Sequence, residues 1–254
     1  MPSACLAVDL GVVPYGEAWE LQKRAAEARK GGALGDVLLL CQHPDVITLG
    51  RNARREHVLA SESVLRQMNV ELFQTNRGGD VTYHGPGQII GYPVLNLGAI
   101  RRDVVWYVRG LEEVMIRATA EFGVAAVREA GKTGVWAVKN ALPGQDAAKT
   151  AGAGEGEKLA AIGVHISRWV TTHGFAYNVS TDLRYFDLIV PCGIAGARTT
   201  SLEKLLERTV SPAEVLPRIV ESFGRVFGLE MREATADTLW SLIERAPLPA
   251  ATCA

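Results

Sequence analysis

The sequence has few cysteines and no pattern that pairs them with one another or with a metal. Cys5, Cys41, Cys192 and Cys253 form no Cys-x-x-Cys pair and have no metal-site spacing with histidine. The first residues also lack the basic stretch followed by an apolar one that a secretory signal peptide needs. We therefore expect free thiols in a reducing cytoplasm and no bound metal.

Long hydrophobic runs and an excess of one charge are also missing. The longest apolar runs, such as residues 37–41, are far shorter than the roughly 20 residues that span a bilayer. The 27 basic and 28 acidic side chains give a formal net charge of −1, which offers no support for nucleic acid binding. The composition, 48% hydrophobic and 22% charged, is typical of a soluble globular protein. We expect neither a membrane nor a nucleic acid partner.

What is present is a mixture of helical and strand-like segments without regular βαβ alternation. Apolar spacing predicts helices at residues 15–30, 61–68, 103–122, 201–208, 211–227 and 234–243. Short apolar and β-branched runs predict strands at residues 4–10, 36–41, 46–50, 88–95, 124–129, 134–138, 159–166 and 174–179. This order predicts an α/β protein of the α+β type, with a mixed β-sheet flanked by helices.

The length of 254 residues fits one large domain or two small ones and does not decide between them. We expect a single domain over residues 1–230 and a C-terminal helix with a frayed tail over residues 231–254. Residues 140–157 are rich in Ala, Gly, Pro and charge. Because strand-like sequence resumes directly after them, they predict a flexible surface loop and not a domain linker.

The most distinctive stretch, residues 77–88, has the sequence Arg-Gly-Gly-Asp-Val-Thr-Tyr-His-Gly-Pro-Gly-Gln. Its glycines let the backbone approach a ligand closely, and Val81 and Thr82 favour a short strand between two turns. The stretch lacks the usual glycine signatures of nucleotide sites. Arg77 and Asp80 could either brace the loop by pairing or contact a ligand, and the sequence leaves both interpretations open.

Four further residues are candidates for chemistry, each with a simpler structural alternative. Cys192, between a proline and a glycine, could project from a rigid turn as a nucleophile or be a small buried hydrophobe. Lys158 could lower the pKa of a neighbouring thiol or be a solvated residue at the end of the loop. His84 and His173 could act as a base or oxyanion donor, or could satisfy only local hydrogen bonds.

Taken together, four segments resemble the octanoyltransferase family, also called lipoyl(octanoyl) transferases or lipoate-protein ligase B. They are residues 77–88, the Lys-Leu-Ala-Ala-Ile-Gly-Val run at 158–164, the His-Gly-Phe-Ala-Tyr-Asn-Val run at 173–179 and Pro-Cys-Gly-Ile at 191–194. The resemblance extends from about residue 4 to residue 227. It implies the catalytic-domain fold of biotinyl/lipoyl protein ligases and an acyltransferase that needs no cofactor.

The resemblance also implies a reaction and its partners. An octanoyl group would pass from octanoyl-acyl carrier protein to a specific lysine of lipoyl domains in 2-oxoacid dehydrogenase complexes, or of glycine-cleavage H protein. Cys192 would carry the acyl group as a thioester, and Lys158 would lower the pKa of that thiol and act as acid and base. We expect a cytoplasmic monomer. The implied substrate contacts are Arg77, Gly78, Gly79, Asp80, Val81, Thr82, Tyr83, His84, Ala161, Ile162, Gly163, Gly174, Phe175 and Ala176, with His173 as an auxiliary residue.

Three alternatives stay open. An ATP-dependent lipoate-protein ligase would share the fold, a cysteine-dependent amidotransferase between lipoyl carrier proteins would differ in its donor, and a non-catalytic module would only bind acyl chains. Residues 85–87 and Cys192 favour the transferase over the ligase. Two departures from the family pattern are the long 140–157 segment and Asp80, where the family often has Gln or another polar residue.

Overall fold

The structure, a computed structural model, describes residues 2–138, 156–190 and 198–245, and its strands form two sheets. The large sheet contains β1 (Ser3–Val12), β2 (Asp36–Gln42), β6 (Gln88–Val94), β7 (Ala126–Glu129), β8 (Lys132–Ala137), β9 (Glu157–Ser167), β10 (Val170–Asn178) and β11 (Leu229–Ala234). The small sheet contains β3 (Val46–Leu49), β4 (Glu71–Gln74) and β5 (Val81–His84).

The large sheet has the order β11-β1-β2-β6-β10-β9-β8-β7 and the small sheet the order β4-β3-β5. Strands β11, β1 and β2 run parallel to one another, and every later neighbour in the large sheet pairs antiparallel. The sheet is therefore mixed, as predicted.

Seven α-helices surround the sheets in the described part of the chain. They are α1 (Tyr15–Lys30), α2 (Glu62–Gln67), α3 (Leu97–Ile100), α4 (Val104–Ala120), α5 (Leu202–Leu206), α6 (Pro212–Phe227) and α7 (Ala236–Glu244). Short 3-10 helices lie at Arg55–His57 and Leu183–Leu188. Helix α4 begins at an N-cap, because the Asp103 carboxylate accepts the Trp106 N–H at 2.9 Å. None of these helices is long and apolar enough to cross a membrane.

Helices cover both faces of the large sheet and divide the core. Helices α4 and α6 bury Leu111, Met115 and Phe223 on one face, within the main core. On the other face, α1 and α7 bury apolar side chains such as Leu21 and Leu239. A third cluster lies beneath the small sheet. This helix–sheet–helix arrangement confirms the predicted fold class.

The C-terminal segment departs from the sequence prediction. Residues 231–234 were expected to lie with a terminal helix and tail, but they belong to β11, which pairs parallel with β1. The missed strand is an edge strand in which only Leu229 is buried, so it lacks the apolar alternation that reveals a strand. The predicted helix follows as α7, and residues 246–254 lie outside the described residues.

The hairpin of β9 and β10 is longer than predicted. Its two turn residues, Arg168 and Trp169, have φ angles of 50° and 63°. Two central residues with positive φ are typical of the tight turn whose twist suits a β-hairpin. The register sets Gly174 opposite Gly163 and Ala176 opposite Ala161. The two candidate segments therefore lie side by side.

Candidate active site

A cavity of about 330 Å³ lies between the two sheets. Thirteen of the residues that the sequence singled out line it: Arg77, Gly79, Asp80, Thr82, His84, Lys158, Ala161, Ile162, Gly163, His173, Gly174, Phe175 and Ala176. Gly78, Val81 and Tyr83 are not among its lining residues. Cys192 lies outside the described residues. The fold thus brings together segments that are up to about a hundred residues apart in the chain.

Strand β5 divides the glycine motif into two faces. Successive side chains of a strand point to opposite sides of its sheet. Thr82 and His84 line the cavity, whereas Val81 and Tyr83 join the apolar cluster beneath the small sheet. The Tyr83 hydroxyl donates to Asp45 Oδ1 at 2.6 Å. Only every second residue of this strand therefore faces the cavity.

Arg77 is buried and holds the start of the motif against β3. Its Nη2 donates to the Thr48 carbonyl oxygen at 2.7 Å and to Thr48 Oγ1 at 2.9 Å. Its Nη1 donates to the Gly78 carbonyl oxygen at 3.0 Å. Charge-assisted bonds of this kind are strong in a buried setting. They make Arg77 a brace of the cavity wall as well as a lining residue.

Gly78 and Gly163 explain how closely the loop approaches β9. The Gly78 N–H donates to the Val164 carbonyl oxygen at 2.9 Å. A Cβ on Gly163 would lie only 2.8 Å from the Gly78 carbonyl oxygen. Glycine is needed at this position because the two backbones are in contact. The motif is thereby joined to the large sheet.

Asp80 links the cavity to the residues that precede Cys192 in the chain. Its carboxylate accepts from His57 Nδ1 at 2.6 Å and from the Val81 N–H at 2.8 Å. The His57 carbonyl oxygen in turn accepts the Val190 N–H at 2.8 Å. Asp80 therefore holds His57, whose backbone in turn binds Val190 just before position 191.

His84 belongs to a buried chain of hydrogen bonds that crosses the site. Its Nδ1 donates to Gln88 Oε1 at 2.8 Å, Gln88 Nε2 donates to Asn178 Oδ1 at 2.8 Å, and Asn178 Nδ2 donates to the Thr200 carbonyl oxygen at 3.0 Å. Burial lowers the pKa of His84 to about 3. The imidazole is therefore neutral at physiological pH.

His173 is similarly buried and neutral. Desolvation, followed by the nearby positive charge of Arg77, lowers the pKa of His173 to about 3. Its Nε2 lies 2.7 Å from Asn76 Oδ1, which makes that nitrogen the protonated one. The φ of His173 is 55°, in the left-handed region that side chains rarely adopt. Such an outlier is typical of functional sites.

The opposite wall of the cavity is mostly small or apolar. Ala161, Ile162 and Phe175 present aliphatic and aromatic surface to it. Sequence reasoning missed Tyr15, Ile90 and Tyr92, which also line the cavity. Ile90 and Tyr92 alternate on β6, so period-two spacing was the available signal. An apolar wall of this kind suits a hydrocarbon chain.

Lys158 enters the cavity at the start of β9. The residue is 6% exposed, and its Nζ lies 5.3 Å from the centre of the Trp136 ring. The backbone N–H of Lys158 donates to the Arg198 carbonyl oxygen at 2.7 Å, and the Lys158 carbonyl oxygen accepts the Thr200 N–H at 2.9 Å. The structure thus excludes the solvated-lysine interpretation. Lys158 pairs directly with the residues that follow the Cys192 segment.

A second lysine, which sequence reasoning missed, lies at the same end of the cavity. Lys132 lines the cavity beside Gly131 and Thr133, at the turn between β7 and β8. Its Nζ lies 5.0 Å from the centre of the Trp136 ring and 2.7 Å from Glu129 Oε2. The glycine in this turn was the only sequence signal.

The described cysteines are unsuited to nucleophilic chemistry. Cys5 and Cys41 are free thiols, but both are buried, and burial raises the pKa of each well above its usual range. A thiol reacts as its thiolate, so these two stay inert near neutral pH.

Known proteins resemble this sequence over most of its length. Residues 14–224 match the lipoyl protein ligase A/B catalytic domain. The chain is 51% identical over 230 residues to an octanoyltransferase of Acidobacterium capsulatum, covering 86% of this chain and 88% of that protein. It is 48% identical over 231 residues to an octanoyltransferase of Solibacter usitatus, covering 91% and 96%.

Solved structures show the same fold at low sequence identity. A bipartite lipoate protein ligase of Thermoplasma acidophilum superimposes with a TM-score of 0.70 at 16% identity, covering 96% of this chain and 91% of that one. A lipoate-protein ligase A bound with ATP gives a TM-score of 0.68 at 14% identity, covering 96% and 93%. With the sequence matches, these findings confirm the resemblance: the chain belongs to the lipoyl protein ligase A/B catalytic domain family and, within it, to the octanoyltransferases, which are acyltransferase enzymes.

Proposed function

We propose that this protein transfers an octanoyl group from octanoyl-acyl carrier protein to a lysine of a lipoyl domain or of glycine-cleavage H protein. Cys192 carries the acyl group as a thioester, and Lys158 lowers the pKa of the thiol and moves protons. The cavity residues of the glycine motif and of β9 and β10 hold the acyl group. The relatives named octanoyltransferase support the transfer itself.

The observation that carries the proposal is the backbone pairing of Lys158 with the residues that directly follow the Cys192 segment, residues 191–197. Lys158 bonds through both backbone groups to Arg198 and Thr200. On the near side, Val190 is bonded to His57, whose ring is held by Asp80 of the cavity. Both anchors of this segment therefore adjoin the cavity.

The first half-reaction exchanges one thioester for another. The Cys192 thiolate attacks the carbonyl carbon of the carrier-bound octanoyl group, and the bond from that carbon to the carrier sulfur breaks. The departing carrier thiolate takes a proton from the Lys158 ammonium. An ammonium beside the thiol favours the thiolate before attack. The new thioester has nearly the same free energy as the old one.

The second half-reaction forms an amide. The amine of the acceptor lysine attacks the octanoyl-Cys192 carbonyl, the bond from carbon to sulfur breaks, and the Cys192 thiolate leaves. The neutral Lys158 amine takes the proton that the attacking nitrogen loses, which restores the ammonium. Amide formation drives the step forward. No nucleotide is consumed, because the substrate arrives as an activated thioester.

The apolar wall of the cavity provides affinity for the chain. Burying six methylene groups at about 0.8 kcal/mol each gives roughly 5 kcal/mol. Ala161, Ile162 and Phe175 form that surface. The neutral states of His84 and His173 also suit an uncharged ligand, because neither ring adds a charge that the ligand would have to desolvate.

The test is an intact-mass measurement after incubation with octanoyl-acyl carrier protein and no ATP. We expect one octanoyl adduct on the wild type, none on Cys192→Ser, and transfer of the label when a lipoyl domain is added. Cys41→Ser serves as the matched control, since its buried thiol should be irrelevant.

Other outcomes would contradict the proposal. An adduct that survives in Cys192→Ser would assign the nucleophile elsewhere. Acylation that requires free fatty acid and ATP would identify a ligase. Tight binding of the acyl carrier without any adduct would identify a binding module.

A further inference from the structure

Strand β9 carries an irregularity directly after Lys158. Trp136 of β8 pairs with Lys158, whereas Val135 pairs with Ala160, so Leu159 is an additional residue in the ladder. Such a β-bulge changes the direction of a side chain and is common beside active sites. Its effect is visible here: Leu159 and Ala160 both lie in the main core, and Lys158 and Ala161 both line the cavity. Strict alternation would not give this pattern.

Strand β8 presents a matching surface to the lysine. Val135 and Ala137 point into the main core, so Gly134 and Trp136 lie on the opposite face, towards Lys158. The φ of Gly134 is 131°, and a Cβ there would lie 2.6 Å from the Ala160 carbonyl oxygen and 3.0 Å from Lys158 Cε. Glycine is therefore needed here by the backbone of β9 and by the φ angle, and a side chain would also press on Lys158 where it passes over β8.

Beyond Gly134, the lysine ammonium reaches the indole of Trp136. The separation of 5.3 Å between Lys158 Nζ and the ring centre is within the range of cation–π attraction. Trp136 is 1% exposed, so the attraction operates away from bulk water. Lys132 Nζ lies 5.0 Å from the same ring centre, and Glu129 pairs with Lys132 at 2.7 Å.

Glu112 of α4 anchors this surface from behind. The residue is fully buried, and its Oε1 accepts the Gly134 N–H at 3.1 Å. Its Oε2 accepts from Arg109 Nη1 at 2.7 Å and from Arg128 Nε at 3.1 Å. A buried carboxylate with three donors holds its partners firmly. It fixes the backbone of β8 at the residue over which Lys158 passes.

We propose that Trp136 and Gly134 are positioning residues for Lys158: the indole face holds its ammonium and the missing side chain admits it. The inference rests on the proposed role of Lys158. Neither residue carries the acyl group or exchanges a proton; both act through Lys158. They act by keeping the ammonium in the direction that the bulge at Leu159 sets, beside the ion pair of Lys132 and Glu129 at the same ring.

The test measures the pH profile of iodoacetamide labelling at Cys192, read on that peptide by mass spectrometry, together with kcat and KM for octanoyl transfer. We expect Trp136→Leu to raise the midpoint of labelling by about one pH unit and to lower kcat about tenfold, with KM for the donor nearly unchanged. Trp136→Phe keeps a ring and should show a smaller shift in the same direction. The largest shift of the labelling midpoint is expected for Lys158→Ala.

The matched control is Trp106, whose ring faces Arg101 at 5.5 Å and packs against Phe227 away from the cavity. Trp106→Phe and Trp106→Leu should leave the labelling midpoint unchanged even where they lower stability. A shift in Lys158→Ala with none in either folded Trp136 variant would overturn this inference alone. No shift in Lys158→Ala would instead refute the proposed pairing of lysine and thiol.

Discussion

The two walls of the cavity are built on different principles. The small-sheet wall, formed by Arg77, Thr82 and His84, is polar, buried and internally hydrogen-bonded. The large-sheet wall, formed by Lys158 and the residues of β9 and β10, is mostly apolar, and its ammonium groups, those of Lys158 and of Lys132 on β8, lie at one end of the cavity. A polar wall whose groups already have hydrogen-bond partners resists rearrangement. An apolar wall can bind a hydrocarbon chain simply by burying it.

The difference indicates where selectivity and reactivity reside. Substitutions in the small-sheet wall should first change stability, because its polar groups hold the site together. Substitutions in the large-sheet wall should first change the reaction, because its apolar side chains line the cavity and Lys158 is its proposed acid and base. The following predictions, from the largest effect to the smallest, test this contrast.

Removal of the ammonium from the large-sheet wall should have the largest effect. We expect Lys158→Ala to lower kcat/KM for octanoyl transfer by about 10²–10⁴, the range of a general acid–base group. The measurement is a steady-state transfer assay, with stability followed by urea unfolding. A variant with near-normal transfer would show that the large-sheet wall does not supply the proton.

Substitution of Arg77 in the small-sheet wall should lower the stability of the protein. Arg77→Met keeps much of the side-chain length but leaves the Thr48 and Gly78 carbonyl oxygens without these charge-assisted bonds. We expect the free energy of unfolding to fall by about 2–4 kcal/mol, measured with denaturant. Arg66→Met on α2, whose side chain is 76% exposed, is the control and should change it by less than about 0.5 kcal/mol. Equal effects would contradict the bracing role.

The buried histidines should make stability depend on pH. The pKa of His84 and of His173 is lowered to about 3 in the folded protein, whereas unfolded histidine titrates near 6.5. Between these values the unfolded chain binds more protons, so stability is fully present above about pH 6.5 and is lost as pH falls towards 3. Each histidine contributes a slope of up to about 1.4 kcal/mol per pH unit.

Denaturant titrations at pH 7, 6 and 5 would measure this slope. His173→Asn removes one titrating ring and retains a residue that tolerates positive φ. Its stability should therefore fall less steeply with acid than that of the wild type. An unchanged slope would place the pH dependence elsewhere.

The smallest effect is expected from narrowing the cavity at its apolar wall. Ala161→Leu adds volume beside Ile162 and Gly163 within the cavity. We expect the preference to move towards donors shorter than octanoyl, by about tenfold in the ratio of kcat/KM values. Ala120→Leu, at the exposed end of α4, is the control. If the preference among donor chain lengths equals that of the wild type, the acyl chain does not contact this wall.

Much of the fold was predictable from local pattern. The helices α1, α2, α4 and α6 follow from apolar spacing and caps, and the strands of the central sheet from short apolar runs. Strand β11 was missed because its stability comes from pairing with β1 and not from its own sequence. The motif residues were predicted as a set, but the faces of β5 separate Thr82 and His84 from Val81 and Tyr83.

The sequence by itself determined which candidate groups this protein has: a glycine-rich segment, Lys158, Cys192 and a family pattern that contains them. These are local properties, fixed by residue type and order. The tertiary structure decided which groups face the same cavity, because direction depends on strand register. The bulge at Leu159, the positive φ of Gly134 and the indole of Trp136 arise only when β8 and β9 pair, so the surroundings of Lys158 could not be inferred from the chain alone.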